Sequence, residues 1–403
     1  MIAHPAAPPV ALVTYSTKPR GGVVHTLALA EALHGIGHPV HVFALGDPAA
    51  GFFRPVRAPH TILAAPADRP TLDEKVFACI DALAAGLART RGLGLIHAQD
   101  CIAARAACRV RDAAPARRGR PVVIRTVHHM DDFTSPVLVE CQRQAVLEPD
   151  VVLVVSEHWR RLLRDEYGVE AAAVVHNGVD QHRFRSADPA LSVRLRHSVH
   201  AQDRPLLLAV GGIEPRKGSD GLVAALGELK RELAPPPVLV VIGGHSFQDH
   251  RAYRDRVLAT LPEHGLVLGA DVVLRGTVPD AEVPGWYAAA DALAFPSVKE
   301  GWGLAVLEAM SAGLPVVTSD LPVFREYLTH GRDALLVAPG DVRALRDALA
   351  AVLFDTALRT RLRAGGDAVA GRFTWTASAR EHERLYRAWL GADEMRGLGD
   401  VPA

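Results

Sequence analysis

The chain has 403 residues, 49% of them apolar but only 5% aromatic, and its 45 acidic side chains balance 45 basic ones. That length exceeds one ordinary core and points to two domains, while the balanced charge gives no drive toward nucleic acid. Four cysteines (Cys79, Cys101, Cys108, Cys141) without C-x-x-C spacing exclude a thiol zinc site or a disulfide framework and read as reduced, packed thiols, three of them in helices.

No apolar run approaches the roughly 18 residues of a membrane span, and MIAHPAAPPV at the start lacks the basic and apolar regions of an export signal. The expectation is a soluble, cytoplasmic protein, with a peripheral contact at a membrane's inner face left open. Along the chain, short apolar strands alternate with helix-length segments, the pattern of parallel, doubly wound sheets. Strands are expected at Val10–Tyr15, Pro39–Phe43, Leu95–Ala98, Val122–Val127, Val151–Val155 and Ala173–His176, with helices including Gly22–His34, Leu72–Ala88 and Glu157–Tyr167. From Asp180 to Asp203 the composition is polar and linker-like, and its Arg and His content suggests an exposed surface. The pattern restarts at Leu206–Val210, Val238–Ile242, Val272–Leu274, Ala292–Phe295, Pro315–Thr318 and Ala334–Val337. Phe373 to Leu390 reads as an amphipathic helix through Trp375, Leu385, Tyr386 and Trp389. The fold class is therefore α/β, with two Rossmann-like domains at residues 1–183 and 184–372 and a terminal helical segment at 373–403. If the two sheets face one another, their C-terminal strand ends share one cleft, where ligands of such sheets bind.

The stretch from Asp291 to Asp320 is the most informative. It reads as strand, polar loop, helix opening near Gly303, and strand. Unpaired N–H groups at such a helix start attract phosphate, and glycines at 301 and 303 let a ligand approach the main chain. A carboxylate there would repel phosphate, so Glu300, and Glu308 eight positions on, are expected to accept hydrogen bonds from hydroxyls. Two hydroxyl readers beside one diphosphate seat match the groups of a nucleotide-sugar.

The whole string, E-G-W-G-L-x-x-x-E-A-M-x-x-G-x-P-V-V, resembles the signature of the retaining, GT-B-fold glycosyltransferases of family 4 (glycosyl transferases group 1, phosphatidylinositol mannosyltransferase-like). The resemblance implies two facing Rossmann-like domains, acceptor on the first and donor on the second, and a terminal helix that crosses back to the first. It implies donor contacts from Glu300, Gly301, Trp302, Gly303, Leu304 and Glu308, with Glu308 on the ribose and Glu300 on the donor sugar. The first loop, Ser16 to Gly22, opens the pattern G-G-x-x-H-x-x-x-L-A-x-A-L…G-H-x-V, which resembles the family's donor-phosphate loop and places Gly21 and Gly22 at the diphosphate; G-x-G-x-x-G is absent, which disfavours a dinucleotide enzyme. At the end of the Val122–Val127 strand the family places a histidine beside the donor sugar; His128 is the choice for it and His129 the competing assignment. Lys217 fits the family's phosphate-gripping lysine, but Gly212 occupies the usual arginine position. Arg216 is the candidate to supply the missing charge, although neighbouring residues point different ways. Arg275, Thr277 and Val278 resemble the segment that reads the base.

No cofactor is expected beyond the donor substrate. A D-x-D motif is missing, and the trio His245, Asp249 and His250 lacks a closed ligand set, so no metal requirement is expected. The implied reaction is retaining transfer from a UDP- or GDP-sugar to a hydroxyl acceptor (small molecule, glycan or lipid-linked), with catalysis resting on His128, Glu300 and Lys217. Alternatives are a hydrolysing nucleotide-sugar epimerase of the same fold, or a nucleotide-sugar-binding protein without turnover. Seven arginines between Arg105 and Arg125, and the helix from Trp159 to Arg164, are solvated surface or a seat for anionic headgroups.

Overall fold

The computed structural model describes residues 9–115, 120–244 and 247–397. The chain divides into two compact units, residues 1–177 with 375–403, and residues 178–374.

The first unit is a seven-stranded parallel sheet in the order β3-β2-β1-β4-β5-β6-β7. Its strands are β1 Val10–Thr14, β2 Val40–Gly46, β3 His60–Ala64, β4 Leu95–Ala98, β5 Val122–Val127, β6 Val151–Val154 and β7 Ala173–Val174. The helices between them are α1 Gly21–Gly35, α2 Leu72–Ala88, α3 Cys101–Ala113, α4 Pro136–Leu147 and α5 Glu157–Tyr167. Register is set by runs buried on both faces, with Val10 opposite Val40 on one side and Leu95 on the other. Strand β3 has no expected counterpart. It is a short edge strand whose residues are exposed or half-buried, so HTILA lacks the apolar run of an interior strand. All four cysteines lie in helices and are free.

The second unit is a six-stranded parallel sheet in the order β10-β9-β8-β11-β12-β13. It begins with two helices, α6 Gln181–Arg185 and α7 Pro189–His197, before β8 Leu206–Val210. The stretch from Asp180 to Asp203, expected to be an exposed linker, is thus folded. Phe184 and Leu195 turn inward, and Arg196 ties α7 to the carbonyls of Ala201, Arg204 and Ala289 and to Asp291. Short helices that bury one side chain per turn keep a polar composition, which is why the segment looks linker-like. Next come α8 Ser219–Glu232, β9 Val238–Ile242, α9 Arg251–Ala259, β10 Val272–Gly276, α10 Val283–Ala289 and β11 Ala292–Phe295. The unit ends with α11 Leu304–Ser311, β12 Val316–Ser319, α12 Pro322–Arg325, β13 Leu335–Val337, α13 Val342–Phe354 and α14 Thr356–Arg372.

The terminal helix, α15 Trp375–Gly397, belongs to the first unit. Ala379, Leu385 and Tyr386 join the core formed by Leu12, Leu27, Ile124 and Leu153. Tyr386 is fully buried, and its hydroxyl hydrogen-bonds His97 Nδ1 at 2.7 Å, while His97 Nε2 meets Thr126 Oγ1 at 2.7 Å. Among the described residues, no helix is long and apolar enough to cross a membrane.

Candidate functional site

In the second unit, β8 and β11 are neighbours, and the loops leaving their C-terminal ends are stitched together. Val298 N–H donates to the Arg216 carbonyl at 2.9 Å. Gly218 has φ +63° and sits so close to Pro296 that a Cβ would lie 2.2 Å from the Pro296 oxygen. This close approach carries the turn Pro215–Lys217 across to the loop that holds Glu300.

There Lys217 Nζ donates to Glu300 Oε1 at 2.5 Å, Ser297 Oγ donates to the same oxygen at 3.0 Å, and Arg216 Nη1 reaches it at 3.5 Å. Lys217 also lies 4.3 Å over the Phe295 ring. Arg216 and Lys217 therefore converge on one carboxylate, contrary to the expectation that adjacent side chains diverge. Arg216 Nε also donates to the buried Glu214 at 3.1 Å. Burial pushes the Glu300 carboxyl up, but the Lys217 and Arg216 charges and the hydrogen bonds from Lys217 and Ser297 outweigh it and leave it below the ordinary value. Burial likewise lowers the Lys217 ammonium, against the pull of Glu300. The pair holds because each charge offsets the other's desolvation.

Gly303 caps α11 with φ +90°, and no side chain caps that helix end. The first-turn N–H groups of α2, α3, α13 and α14, by contrast, are met by Thr71, Asp100, Asp341 and Asp355. A Cβ on Gly303 would lie 2.5 Å from Phe324 Cε1, so glycine is required by both conformation and space. Trp302 is buried against Tyr327 and Phe373, with ring centroids 4.7 and 5.2 Å away, and the Tyr327 hydroxyl donates to its carbonyl at 2.7 Å. Its indole is core; what residue 302 shows to the loop surface is main chain. Gly301 and Leu304 flank it, half-buried. Glu308, half-buried on α11, accepts a 2.6 Å hydrogen bond from the Tyr287 hydroxyl.

The missing arginine has a local cause. A Cβ on Gly212 would lie 2.8 Å from the Gly244 carbonyl and 3.1 Å from Glu214 Oε1. Gly211 and Gly243 both have positive φ, and a Cβ on Gly243 would lie 2.7 Å from the Gly211 carbonyl carbon. Arg275 sits at an irregularity in β10 with its guanidinium 5.5 Å from the Trp286 ring centroid. Thr277 beside it is exposed and Val278 half-buried.

The first unit makes its own grouping. Gly21 and Gly22 open α1, which carries neither a side-chain cap nor an acidic residue in its first turn. A Cβ on Gly22 would lie 3.9 Å from His128 Cδ2. The half-buried His128 donates Nε2–H to Gln99 Oε1 at 3.1 Å and meets His25 edge-on at 4.4 Å. Burial, then the His25 and Arg125 charges, hold His128 well below the usual histidine range. His129 instead turns to Asp131, 3.6 Å away. Of the two histidines, His128 is the one beside Gly22. Gln99 carried no sequence signal, whereas His25 is the histidine of the Gly21-Gly22-x-x-His pattern, with its ring partner His128 on another segment.

His245, Arg117 and Arg118 lie outside the described residues. Asp249 is engaged by Arg251 at 2.6 Å. In the basic run, Arg105 pairs with Glu148, Arg109 with Asp81, and Arg111 with Asp112 and Asp150, while Arg125 is buried in β5. In α5, Arg160 pairs with Glu157 and Arg164 with Asp165.

Two Rossmann-like domains with parallel sheets of seven and six strands are the architecture of the GT-B class of sugar-transferring proteins. The model for "Glycosyltransferase Family 4" matches residues 19–183, and that for "Glycosyl transferases group 1" matches residues 195–368. The chain belongs to this glycosyltransferase family. It is 36% identical over 223 residues to a D-inositol 3-phosphate glycosyltransferase from Frankia alni, covering 53% of this chain and 52% of that protein. It is 32% identical over 271 residues to a GDP-mannose-dependent alpha-(1-6)-phosphatidylinositol monomannoside mannosyltransferase from Mycolicibacterium smegmatis, covering 64% and 66%. The chain thus spans about half to two thirds of the length of these curated relatives. A sucrose-phosphate synthase from Thermosynechococcus elongatus shares the fold, with TM-score 0.78, 23% identity and coverage of 96% and 100%.

Proposed function

We propose that the chain is a retaining glycosyltransferase that moves a sugar from a nucleoside-diphosphate sugar to a hydroxyl acceptor without a metal ion. The observation that carries this reading is the convergence of Lys217, Arg216 and Glu300 beside the uncapped start of α11. Two cations and free N–H groups suit a diphosphate leaving group, whose negative charge grows as the anomeric C–O bond breaks. In this reading Glu300 exchanges Lys217 for the donor sugar's hydroxyls, and Glu308 accepts from the ribose hydroxyls. Arg275, Thr277 and Val278 face the base. Gly22 and His128 of the first unit take the roles the resemblance gives them, at donor phosphate and donor sugar.

In the transfer step the acceptor oxygen forms the new bond to the anomeric carbon on the face the diphosphate leaves. Its proton passes to a leaving phosphate oxygen. Attack on that face needs no covalent sugar–enzyme intermediate, so Glu300 is assigned to the donor sugar's hydroxyls and not as the nucleophile. The names of the relatives make a phosphorylated polyol or a phosphatidylinositol glycolipid the first acceptors to try, and GDP-mannose a first donor.

The test is product analysis by NMR after incubation with UDP- and GDP-sugars, with and without these acceptors and with and without EDTA. Acceptor-dependent release of nucleoside diphosphate, with a product of the donor's anomeric configuration, supports the reading. Sugar isomerisation without acceptor marks an epimerase. Donor binding without turnover marks a binding protein, for which Gly212 in the arginine position would be the cause.

A further inference from the structure

The donor residues named so far touch ligand directly, but Glu308 is itself held from behind. The Tyr287 hydroxyl donates to Glu308 Oε2 at 2.6 Å, a short, charge-assisted contact. Tyr287 is fully buried in α10. Burial, then the Glu308 charge, push its hydroxyl well above the ordinary tyrosine value, so it remains a donor. The ring cannot swing away. Phe184 of α6 packs edge-on at 5.4 Å and 87°, and Arg183 closes α6 onto the Asp280 carbonyl and carboxylate, both at 2.9 Å. The preceding residue, Trp286, carries the Arg275 guanidinium on its other side. One short helix thus supports both the base segment and the candidate ribose reader.

We propose that Tyr287 is the positioning residue for nucleoside recognition: by occupying one oxygen of Glu308 and fixing its rotamer, it aims the other oxygen at the ribose hydroxyls of the donor. This rests on the assignment of Glu308 to the ribose. Glutamate is a flexible side chain whose ordering costs free energy, and Tyr287 meets that cost before the ligand arrives. The tyrosine touches no substrate atom. Its effect therefore depends on whether the ligand has the hydroxyl that Glu308 reads.

The experiment is calorimetric titration of the full chain with UDP, GDP and their 2′-deoxy and 3′-deoxy forms. Wild type is expected to bind one ribonucleotide about tenfold more tightly than its deoxy forms, the worth of one hydrogen bond to a charged group. Tyr287→Phe, which removes a single oxygen, is expected to weaken the ribonucleotide several-fold and leave the deoxy forms nearly unchanged, so that discrimination shrinks. Phe184→Leu, which loosens the ring without removing the hydroxyl, is expected to shift discrimination in the same direction by less. Equal weakening of ribo and deoxy forms in Tyr287→Phe makes Tyr287 a packing residue and overturns the proposal, as does undiminished discrimination. Wild type that fails to discriminate overturns the ribose assignment of Glu308 and the proposal with it, and that outcome is read before any variant is made.

Discussion

Replacing Gly303 with alanine tests the loop that joins Glu300 to Glu308. Two separable costs arise. The residue sits at φ +90°, and a left-handed conformation costs an L-residue about 1–2 kcal/mol. The new Cβ would lie 2.5 Å from Phe324 Cε1, 3.1 Å from Phe324 Cζ and 3.2 Å from the Tyr327 hydroxyl, and overpacking of that kind costs about 1–3 kcal/mol. Together they destabilise the second unit by about 2–5 kcal/mol, or a melting-temperature drop of roughly 4–20 °C for a unit of this size. Gly313→Ala is the control, since Gly313 has φ +70° but open space around its Cβ position; it carries the conformational cost alone. Hydrogen exchange of second-unit amides across a urea series reports that unit separately from the first, and the two variants are expected to differ by the packing cost of about 1–3 kcal/mol. If Gly303→Ala were no worse than Gly313→Ala, Phe324 and Tyr327 would not be where the account needs them, and the proposed diphosphate seat would lose its support.

Other consequences are open to measurement. Glu300→Gln removes the charge that Lys217 is paired with, so nucleoside diphosphate alone should bind on the order of tenfold more tightly, one charge-assisted hydrogen bond's worth, while sugar transfer falls; weaker diphosphate binding in calorimetry would refute the competition. Burial holds His25 at about 3 and His382 at about 4, and His97 and His128 also lie well below their ordinary value. Each binds a proton only when unfolded, so its stability is fully present above pH about 6.5 and falls by about 1.4 kcal/mol per pH unit below it. For His382 that loss runs down to about pH 4. Half-buried Asp100, whose carboxyl is raised by desolvation, offsets part of this at the acid end. The first unit's melting temperature should therefore fall as the pH drops from 6.5 to 4.5, and a first-unit melting temperature flat across that window contradicts the desolvated, neutral histidines. Gly212→Arg, which restores the usual family residue, should lower stability rather than improve donor affinity, because the Cβ meets the Gly244 carbonyl at 2.8 Å; calorimetry and a melting curve decide.

Interior strands were legible because they are apolar on both faces. Leu95–Ala98, Val122–Val127, Leu206–Val210, Val238–Ile242 and Ala292–Phe295 stand where the runs put them. The edge strand His60–Ala64 was not, since half its surface faces outward and leaves no continuous run. Nor were α6 and α7, whose inward contacts rest on Phe184 and Leu195 while the remaining residues stay largely polar. Within the candidate site, the string from Glu300 to Glu308 is local, and its resemblance to the family signature, more than its spacing, made it legible. The contact of Lys217 with a carboxylate 83 positions away cannot; it depends on β8 lying beside β11 and on Gly218 meeting Pro296. Tyr287, Ser297 and Gln99 escaped for the same reason, because their partners lie on other elements or loops and their residue types carry no motif.

The most direct test of the central claim is calorimetric titration of UDP- and GDP-sugars into wild type, Lys217→Ala and Glu308→Ala. The account predicts that one nucleotide-sugar binds wild type and raises its melting temperature, by the equivalent of about 2.7 kcal/mol at 100 times the dissociation constant. It predicts that each variant weakens that donor by at least about tenfold, the cost of a lost charged hydrogen bond. Full-strength binding in both variants, or no binding of any nucleotide-sugar to wild type, would contradict the donor site described for the second unit.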